Sequence, residues 1–365
     1  MNDLKLLKKL VETPGPSGNE AAIAAQIADV WRPLVDELRT DRVGSLVGIK
    51  RGRGPTDDAS SRRRILLAAH MDELGLMVKQ IVAHPDESGS GFLRVTSLGG
   101  VDRRQLFAQQ VVVHGQRELP GVIGGLPGSM VSAARAKKPY NFEELVVDVG
   151  LPADQVRELV SVGDFISFRQ PLHKLLNGRV AGKALDNRAS VAAVTRCLHA
   201  LQTRDHSWDV YAVATVQEET RLLGAYISGY VEEPDAAIAI DVTHGKGPGT
   251  RDVSVEMDGG PVLDIGPNVH PGMRSGLREA ADRLEMKTQV DIHTRGSGTD
   301  AYGLQVARAG VPTAVVSIPL RYMHTMVESI AVKDVKRTGR LLAEFITGLD
   351  DDFLPSLARQ MLGDD

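Results

Sequence analysis

An α/β fold carrying a smaller β unit is what the sequence predicts, and three observations predict it. Four short, continuous apolar runs alternate with segments of helical periodicity, each run ends at ionisable residues, and one region of Gly- and Pro-punctuated β-like pieces interrupts the alternation. A length of 365 residues adds a size argument, because single cores rarely grow that large and a second domain is expected.

The first segment, MNDLKLLKKLVET, places Leu and Val at helical spacing, so it is read as an amphipathic helix and not as the charged start and apolar stretch of a signal peptide. Ser17, Gly18, Asn19 and Glu20 then match an S-x-x-E capping box opening a second helix, with Ile23, Ile27 and Val30 toward the core and Pro33 ending it near Trp31. The runs RILLAAH (64–70), VYAVATV (210–216), AAIAI (236–240) and PTAVVSI (312–318) are apolar without alternation, which means burial on both faces. Helices are predicted at 187–202, 271–284, 299–309 and 331–349, giving a sheet covered by helices on both sides. Between about Leu76 and Gln170, the pieces FLRVTSL, QQVVVHG, LPGVIGG and GDFISF are separated by turns, so a separate β domain is expected there, inserted into the larger one. The expected division is 1–75 with 171–365 for the larger domain and 76–170 for the insertion.

Forty-two per cent apolar residues describe a globular chain. Forty-three Lys and Arg against 47 Asp and Glu leave a net charge of −4, and no apolar run approaches the ~18 residues of a membrane span, so neither nucleic acid nor membrane is an expected partner. Lys50, Arg51, Arg53, Arg62, Arg63 and Arg64 flank a Gly-, Ser- and Asp-rich loop without interleaved aromatics, which suits a solvated loop better than base stacking. The single cysteine, Cys197, lies in an Ala/Val-rich helical segment and is expected to be a buried, inert thiol in a reducing compartment, the cytoplasm.

Chemistry is concentrated where the apolar runs end. RILLAA ends in His70 with Asp72 two residues on, VYAVATV leads to Glu218 and Glu219, AAIAI ends in Asp241, and PTAVVSIPLRYM leads to His324. Open α/β sheets gather their strand ends at one crevice, so four such residues in series indicate a metal site, although any one alone is ordinary. Asp72 is spaced to accept the second imidazole proton of His70 and fix its tautomer. Asp186, in GKALDNRAS, has two readings: a helix N-cap, or a carboxylate bridging two cations. Glu218 and Glu219, as neighbours near the end of an extended segment, diverge, so one suits a ligand and the other a general base, with a solvated acidic turn as the plain alternative. For Asp241 and His324 the plain alternatives are a strand-end carboxylate and a surface-loop imidazole. The other histidines, His84, His114, His173, His199, His206, His270 and His293, are read as mostly solvent-facing.

With AAHMDELG, GKALDNR, VQEET, AIDVTHG, GSGTDA and SIPLRYMH in this order over nearly the whole length, the chain resembles the tetrahedral, glutamyl-type aminopeptidase family of dinuclear metallopeptidases. The resemblance implies a mixed sheet sandwiched by helices, of the dinuclear zinc exopeptidase type, with an inserted PDZ-like β domain that mediates assembly of dimers into a dodecamer. It implies two divalent ions per subunit, zinc or cobalt foremost and manganese next. It assigns His70 and Asp241 to one ion, Glu219 and His324 to the other and Asp186 to both, with Glu218 as general base and Asp72 supporting His70. Where the family usually carries a glycine and then an arginine after the paired glutamates, this chain reads Thr220, Arg221, Leu222, Leu223, Gly224, which puts a long cation close to the base.

The implied activity removes the N-terminal residue from short peptides with a free α-amine, by water activated between two cations with Glu218 carrying the proton. Gly298, Thr299, Asp300, Arg321 and Tyr322 are candidate substrate contacts, with a helix cap and a packed loop as their plain reading. A related deacylase or carboxypeptidase would share the metal core, and a scaffold that lost activity through changes such as Arg221 is the non-enzyme alternative. A glycosidase is disfavoured: its carboxylates stand ~5 Å or more apart across a sugar, and only 4% of the chain is aromatic.

Overall fold

The computed structural model describes residues 1–53, 62–83, 89–251 and 255–362. Helices α1 (Asp3–Glu12) and α2 (Ala21–Trp31) lead into β1 (Glu37–Thr40), β2 (Leu46–Lys50) and β3 (Arg64–His70). Six strands follow, β4 (Gly75–Ala83), β5 (Ser90–Leu98), β6 (Gln110–His114), β7 (Glu118–Gly124), β8 (Val146–Pro152) and β9 (Phe165–Phe168), with the short helices α3 (Ala133–Ala136) and α4 (Ala153–Leu159) among them. The chain returns through β10 (His173–Lys174), β11 (Arg179–Gly182) and α5 (Leu185–Ala200) to β12 (Asp209–Thr215), α6 (Glu218–Arg221), α7 (Leu223–Glu232) and β13 (Ala236–His244). The last part holds β14 (Val262–Leu263), α8 (Pro271–Arg283), α9 (Ala301–Gln305), β15 (Thr313–Arg321), β16 (Glu328–Ala331), α10 (Val332–Thr347) and α11 (Phe353–Leu362).

The large sheet is mixed and runs β1-β2-β12-β3-β13-β15-β16-β11-β10, with β14 beside β15. Its central four strands, β12, β3, β13 and β15, are the four apolar runs, and they are mutually parallel. Their lack of polar alternation follows from helices on both faces. Ile65, Leu67 and Ala69 of β3 pack with α1, α2, α5, α8 and α10, while the intervening Leu66 and Ala68 pack with Ala225 of α7 and Leu304 of α9. Successive side chains of a strand point to opposite faces, so a strand that feeds two cores must be apolar throughout.

The stretch between β3 and β10 forms a closed barrel in the order β4-β5-β8-β7-β6-β9. It has its own core, built from alternating residues such as Leu76, Val78, Val111, Val113 and Ile166. Met326, two residues past His324, packs into that core.

Some local expectations are corrected. The capping box does not form: Glu20 is the N-cap of α2 without a side-chain cap bond, because its Oε1 accepts instead from Gly18 N–H (2.7 Å) and from Gln217 N–H (3.2 Å). The predicted helix at 299–309 is regular only over Ala301–Gln305. The loop expected between the basic residues lies largely outside the described residues, but Arg51 and Arg62 on its flanks converge on buried Asp209, at 2.9 and 2.8 Å. Among the described residues no helix is long and apolar enough to cross a membrane.

Trp31 shows how the helices are fastened. It is fully buried at the end of α2, and its indole N–H donates to Thr195 Oγ1 of α5 at 2.8 Å. Trp31→Ala should therefore cost about 3–5 kcal/mol through cavity formation, read as a lower urea midpoint with an unchanged slope. Trp31→Phe, which keeps most of the volume and loses the bond, should cost less; equal losses would contradict the cavity account.

Candidate metal centre

The parallel strands bring the candidate residues together. Thr215 of β12 pairs with His70, and Ala239 of β13 pairs with Ala68, so two residues further along both strands Asp241 comes level with His70. Asp186 arrives from the start of α5, Glu218 and Glu219 from the start of α6, and His324 from the bend after β15. His70 Nε2 lies 3.2 Å from Asp186 Oδ1, 3.7 Å from Glu218 Oε2 and 3.9 Å from Asp241 Oδ1. His324 Nε2 lies 3.6 Å from Asp186 Oδ2 and 3.6 Å from Glu219 Oε2. The two oxygens of Asp186 thus face two different imidazoles.

Two corrections concern backbone. Asp186 does not cap α5: Ala184 stands at the cap with φ 54°, while Asp186 and Asn187 are themselves non-helical. Glu218 and Glu219 are not on an extended segment but in the first turn of α6, after a sharp turn at Gln217 with φ 53°. They diverge nonetheless, Glu218 toward His70 and Glu219 toward His324. The α6 turn is held by Asp72, whose two oxygens accept from Glu218 N–H (3.1 Å) and Glu219 N–H (3.2 Å), groups that a helix start leaves without intrahelical partners. Asp72 Oδ1 is also 3.4 Å from His70 Nδ1.

Glu328, which no sequence signal singled out, ties the opposite side. It is 2% exposed, and its carboxylate accepts from Asp186 N–H (3.0 Å) and His324 N–H (2.9 Å). A glutamate opening the short apolar run ESIA was the one available clue. Non-glycine residues with positive φ flank the site, at Ala184, Gln217, Leu222, Tyr322 and His324. Backbone of this kind persists where the surroundings over-determine it, and it concentrates at functional sites.

The electrostatics call for cations. Among the described residues no Lys or Arg side chain bonds to Asp186, Glu218, Glu219 or Asp241. Glu219 Oε1 is buried without a hydrogen-bond partner, and so is His70 Nδ1. Burial pushes Glu218 up to about 10, His70 pulling back and Asp241, Asp300 and Glu219 pushing further. Burial likewise raises Glu219 and Asp241, with Asp186 adding to both. Burial alone would lower His70, but Glu218, Asp186, Asp72 and Asp241 outweigh it and raise it. Asp72 is the exception, since burial is overcome by His70 and the Glu218 N–H and the carboxylate is held low. Buried carboxylates in such proximity need protons or metal ions to offset their repulsion. Ligand atoms of His70, Asp186 and Glu219 lie within 4.8 Å of one another, as do those of His70, Glu218 and Asp241. Imidazole and carboxylate donors of this kind fit divalent ions of intermediate hardness.

The residues line a cavity of about 600 Å³, together with Gly298 and Thr299. His324 is at its open side, 38% exposed against 2% for His70. The other three candidate contacts do not line it. Asp300 is buried beneath, accepting from Thr215 Oγ1 at 2.5 Å, with burial pushing it up to about 6; Arg321 donates from Nε to Lys246 O at 2.6 Å; Tyr322 is 52% exposed outside. A larger cavity of about 830 Å³ lies on the barrel and holds none of these residues.

The histidines set aside as solvent-facing divide. His173 and His199 are exposed, and His84 lies outside the described residues. His206 is buried with Nδ1 2.7 Å from Trp208 O, His114 reaches Ser167 Oγ at 2.8 Å, and His270 caps α8 by accepting from Gly272 N–H at 3.2 Å. His293 lines the same cavity as the candidate ligands, which its place between turns did not reveal. Cys197 is fully buried, and burial raises its thiol.

The M42 glutamyl aminopeptidase family model matches residues 44–341. The lysyl aminopeptidase of Pyrococcus furiosus is 35% identical over 362 residues, 97% of this chain and 100% of that one. Among solved structures, the TET aminopeptidase of a marine-sediment Thaumarchaeota archaeon superposes with a TM-score of 0.89 at 30% identity, over 97% of this chain and 98% of that one. The TET1 peptidase of Pyrococcus horikoshii does so at 0.82 and 29% identity, over 95% and 100%. The chain therefore belongs to the M42 glutamyl aminopeptidase family, and its activity is that of a metal-dependent aminopeptidase.

Proposed function

We propose that His70, Asp186, Glu219, Asp241 and His324 hold two divalent cations, with Asp186 between them, and that Glu218 is the general base for hydrolysis of the N-terminal peptide bond. The observation that carries this reading is the division of Asp186, Oδ1 at 3.2 Å from His70 Nε2 and Oδ2 at 3.6 Å from His324 Nε2. Ions held there would supply Lewis acidity and would lower the proton affinity of a water in the cavity. Glu218 takes a proton from the attacking water and returns it to the leaving amine. Asp72 supports both parts, keeping α6 and His70 in place through the contacts described above. The open side at His324 admits the substrate's α-amine, and Gly298 and Thr299 are the candidate contacts that meet the substrate on the cavity wall. The donor set suits zinc or cobalt, with manganese next. A single buried thiol suits the cytoplasm.

The barrel, residues 76–170, is assigned to assembly with further copies as a PDZ-like inserted domain, in keeping with the family resemblance. Two observations support it: Val122, Leu126 and Met130 are 49%, 56% and 67% exposed on the barrel region, and the Pyrococcus horikoshii TET1 peptidase is one that assembles into a tetrahedron or a large octahedral shell. Light scattering should return a large multiple of 39.3 kDa, twelve-fold by the family resemblance, and a monomer at micromolar concentration would count against it.

Glu218→Gln should retain its metal by elemental analysis and lose turnover by a factor of roughly 10²–10⁴; an active variant would remove Glu218 from its role. With zinc, cobalt or manganese added, unblocked aminoacyl chromogenic substrates should be cleaved and N-acetylated ones ignored. The reverse preference would instead mark a deacylase.

A further inference from the structure

The turn that carries Glu218 and Glu219 is too short to hold itself. α6 is four residues long, without a side-chain cap at its start, and left-handed residues stand at both its ends, Gln217 at φ 53° and Leu222 at φ 58°. A single helical turn fixes more dihedral freedom than its few hydrogen bonds offset, and non-glycine residues in the left-handed region add to the cost. Such a turn persists only where contacts from outside over-determine it. Asp72 supplies two of them, at the Glu218 and Glu219 N–H groups. Two more come from the connection between α1 and α2: Glu20 Oε1 accepts from Gln217 N–H at 3.2 Å, and Ser17 Oγ lies 3.3 Å from Thr220 Oγ1.

That connection is anchored beneath the metal centre. Glu73, the residue after Asp72, donates its N–H to Gly15 O at 3.0 Å and accepts from Ser17 N–H at 3.1 Å. Its side chain accepts from Gly15 N–H at 2.9 Å and pairs with buried Lys183. Arg188 of α5 is fully buried and donates to Leu10 O at 2.6 Å and to Thr13 O at 3.1 Å, carbonyls at the end of α1 that the helix leaves open. A Cβ at Gly15 would stand 2.8 Å from the Arg188 guanidinium, and one at Gly75 would stand 2.7 Å from Pro16, so glycine alone lets the segment pass. Residues 13–20 thus join the end of β3, the start of α5 and the turn of α6, the three places that present His70, Asp186 and Glu218, and none of them lines the cavity. Glu20 stands at the start of α2 yet makes no cap bond there; its carboxylate, 7% exposed, is committed to Gly18 and Gln217. We infer, on the reading of Glu218 as the base, that Glu20 and Ser17 are positioning residues for it, acting through Gln217 and Thr220 without touching the substrate.

Misplacing a reacting group by about 1 Å lowers turnover on the order of a hundredfold, so Glu20→Ala should lower kcat by roughly ten- to a hundredfold, with KM and metal content by elemental analysis little changed. Glu20→Gln keeps an oxygen that accepts from Gln217 N–H and should recover most of that loss. The double variant Glu20→Ala/Glu218→Gln should be no slower than Glu218→Gln alone, because a residue that acts through the base has nothing left to act on. Unchanged kcat in Glu20→Ala, a kcat that falls only in step with lost metal, or a Glu20→Gln as slow as Glu20→Ala overturns the inference. If Glu20→Ala fails to fold, Ser17→Ala decides: a lower kcat with metal retained upholds the inference, and an unchanged kcat overturns it. An inactive Glu218→Gln with additive losses in the double variant faults this inference alone, whereas an active Glu218→Gln faults the base assignment and the inference with it.

Discussion

Mutual repulsion among buried carboxylates is the constraint around which this molecule is arranged. Four parallel strands run to one edge of the sheet, where β13 delivers Asp241, the first turn of α6 delivers Glu218 and Glu219, and α5 adds Asp186, a concentration of negative charge that the chain's own cations do not pair with among the described residues. Arg and Lys are abundant elsewhere and pair freely, as Arg51 and Arg62 do with Asp209. That none of them pairs with these carboxylates, among the described residues, gives the site its appetite for divalent ions, and the two imidazoles set where those ions belong.

Holding such a cluster together takes backbone donors. Asp72 and Glu328 act as a pair from opposite sides, the first accepting the N–H groups of Glu218 and Glu219, the second those of Asp186 and His324. Each thereby aims two neighbouring side chains without taking part in the cluster's inner contacts, which is how outer partners of a metal site fix its geometry. Glu20 adds a third support, reaching across from the start of α2 to the Gln217 N–H. The capping residues that a helix would have used for itself are spent on the turn that carries the base.

The barrel is not remote from this chemistry. Gly100, just past the end of β5, lines the cavity, and a Cβ there would stand 2.8 Å from His324 Nδ1, so only glycine permits the approach. Met326 meanwhile anchors the His324 bend in the barrel's core. The most exposed candidate ligand is thus positioned jointly by the sheet and the barrel.

Much of the fold was legible beforehand because burial writes itself into composition. Short runs without polar alternation suit strands with helices on both faces, and the ionisable residues at the ends of four such runs marked the edge where Asp72, Asp186, the paired glutamates and His324, proposed from spacing and family resemblance, come together. What lay beyond reach shares one cause, contact between residues remote in the chain. Glu328 and His293 sit in segments with no local signature, and their places at the site arise only when Asp186 or Asp264 is folded against them. Asp300, Arg321 and Tyr322 sit in motifs that promised substrate contact, yet packing turned one beneath the cavity and two away from it. The sequence by itself determined which elements form and which chemistry they can carry, since both depend on neighbours a few residues apart. The direction each side chain faces, and the company it keeps there, was decided by tertiary packing alone.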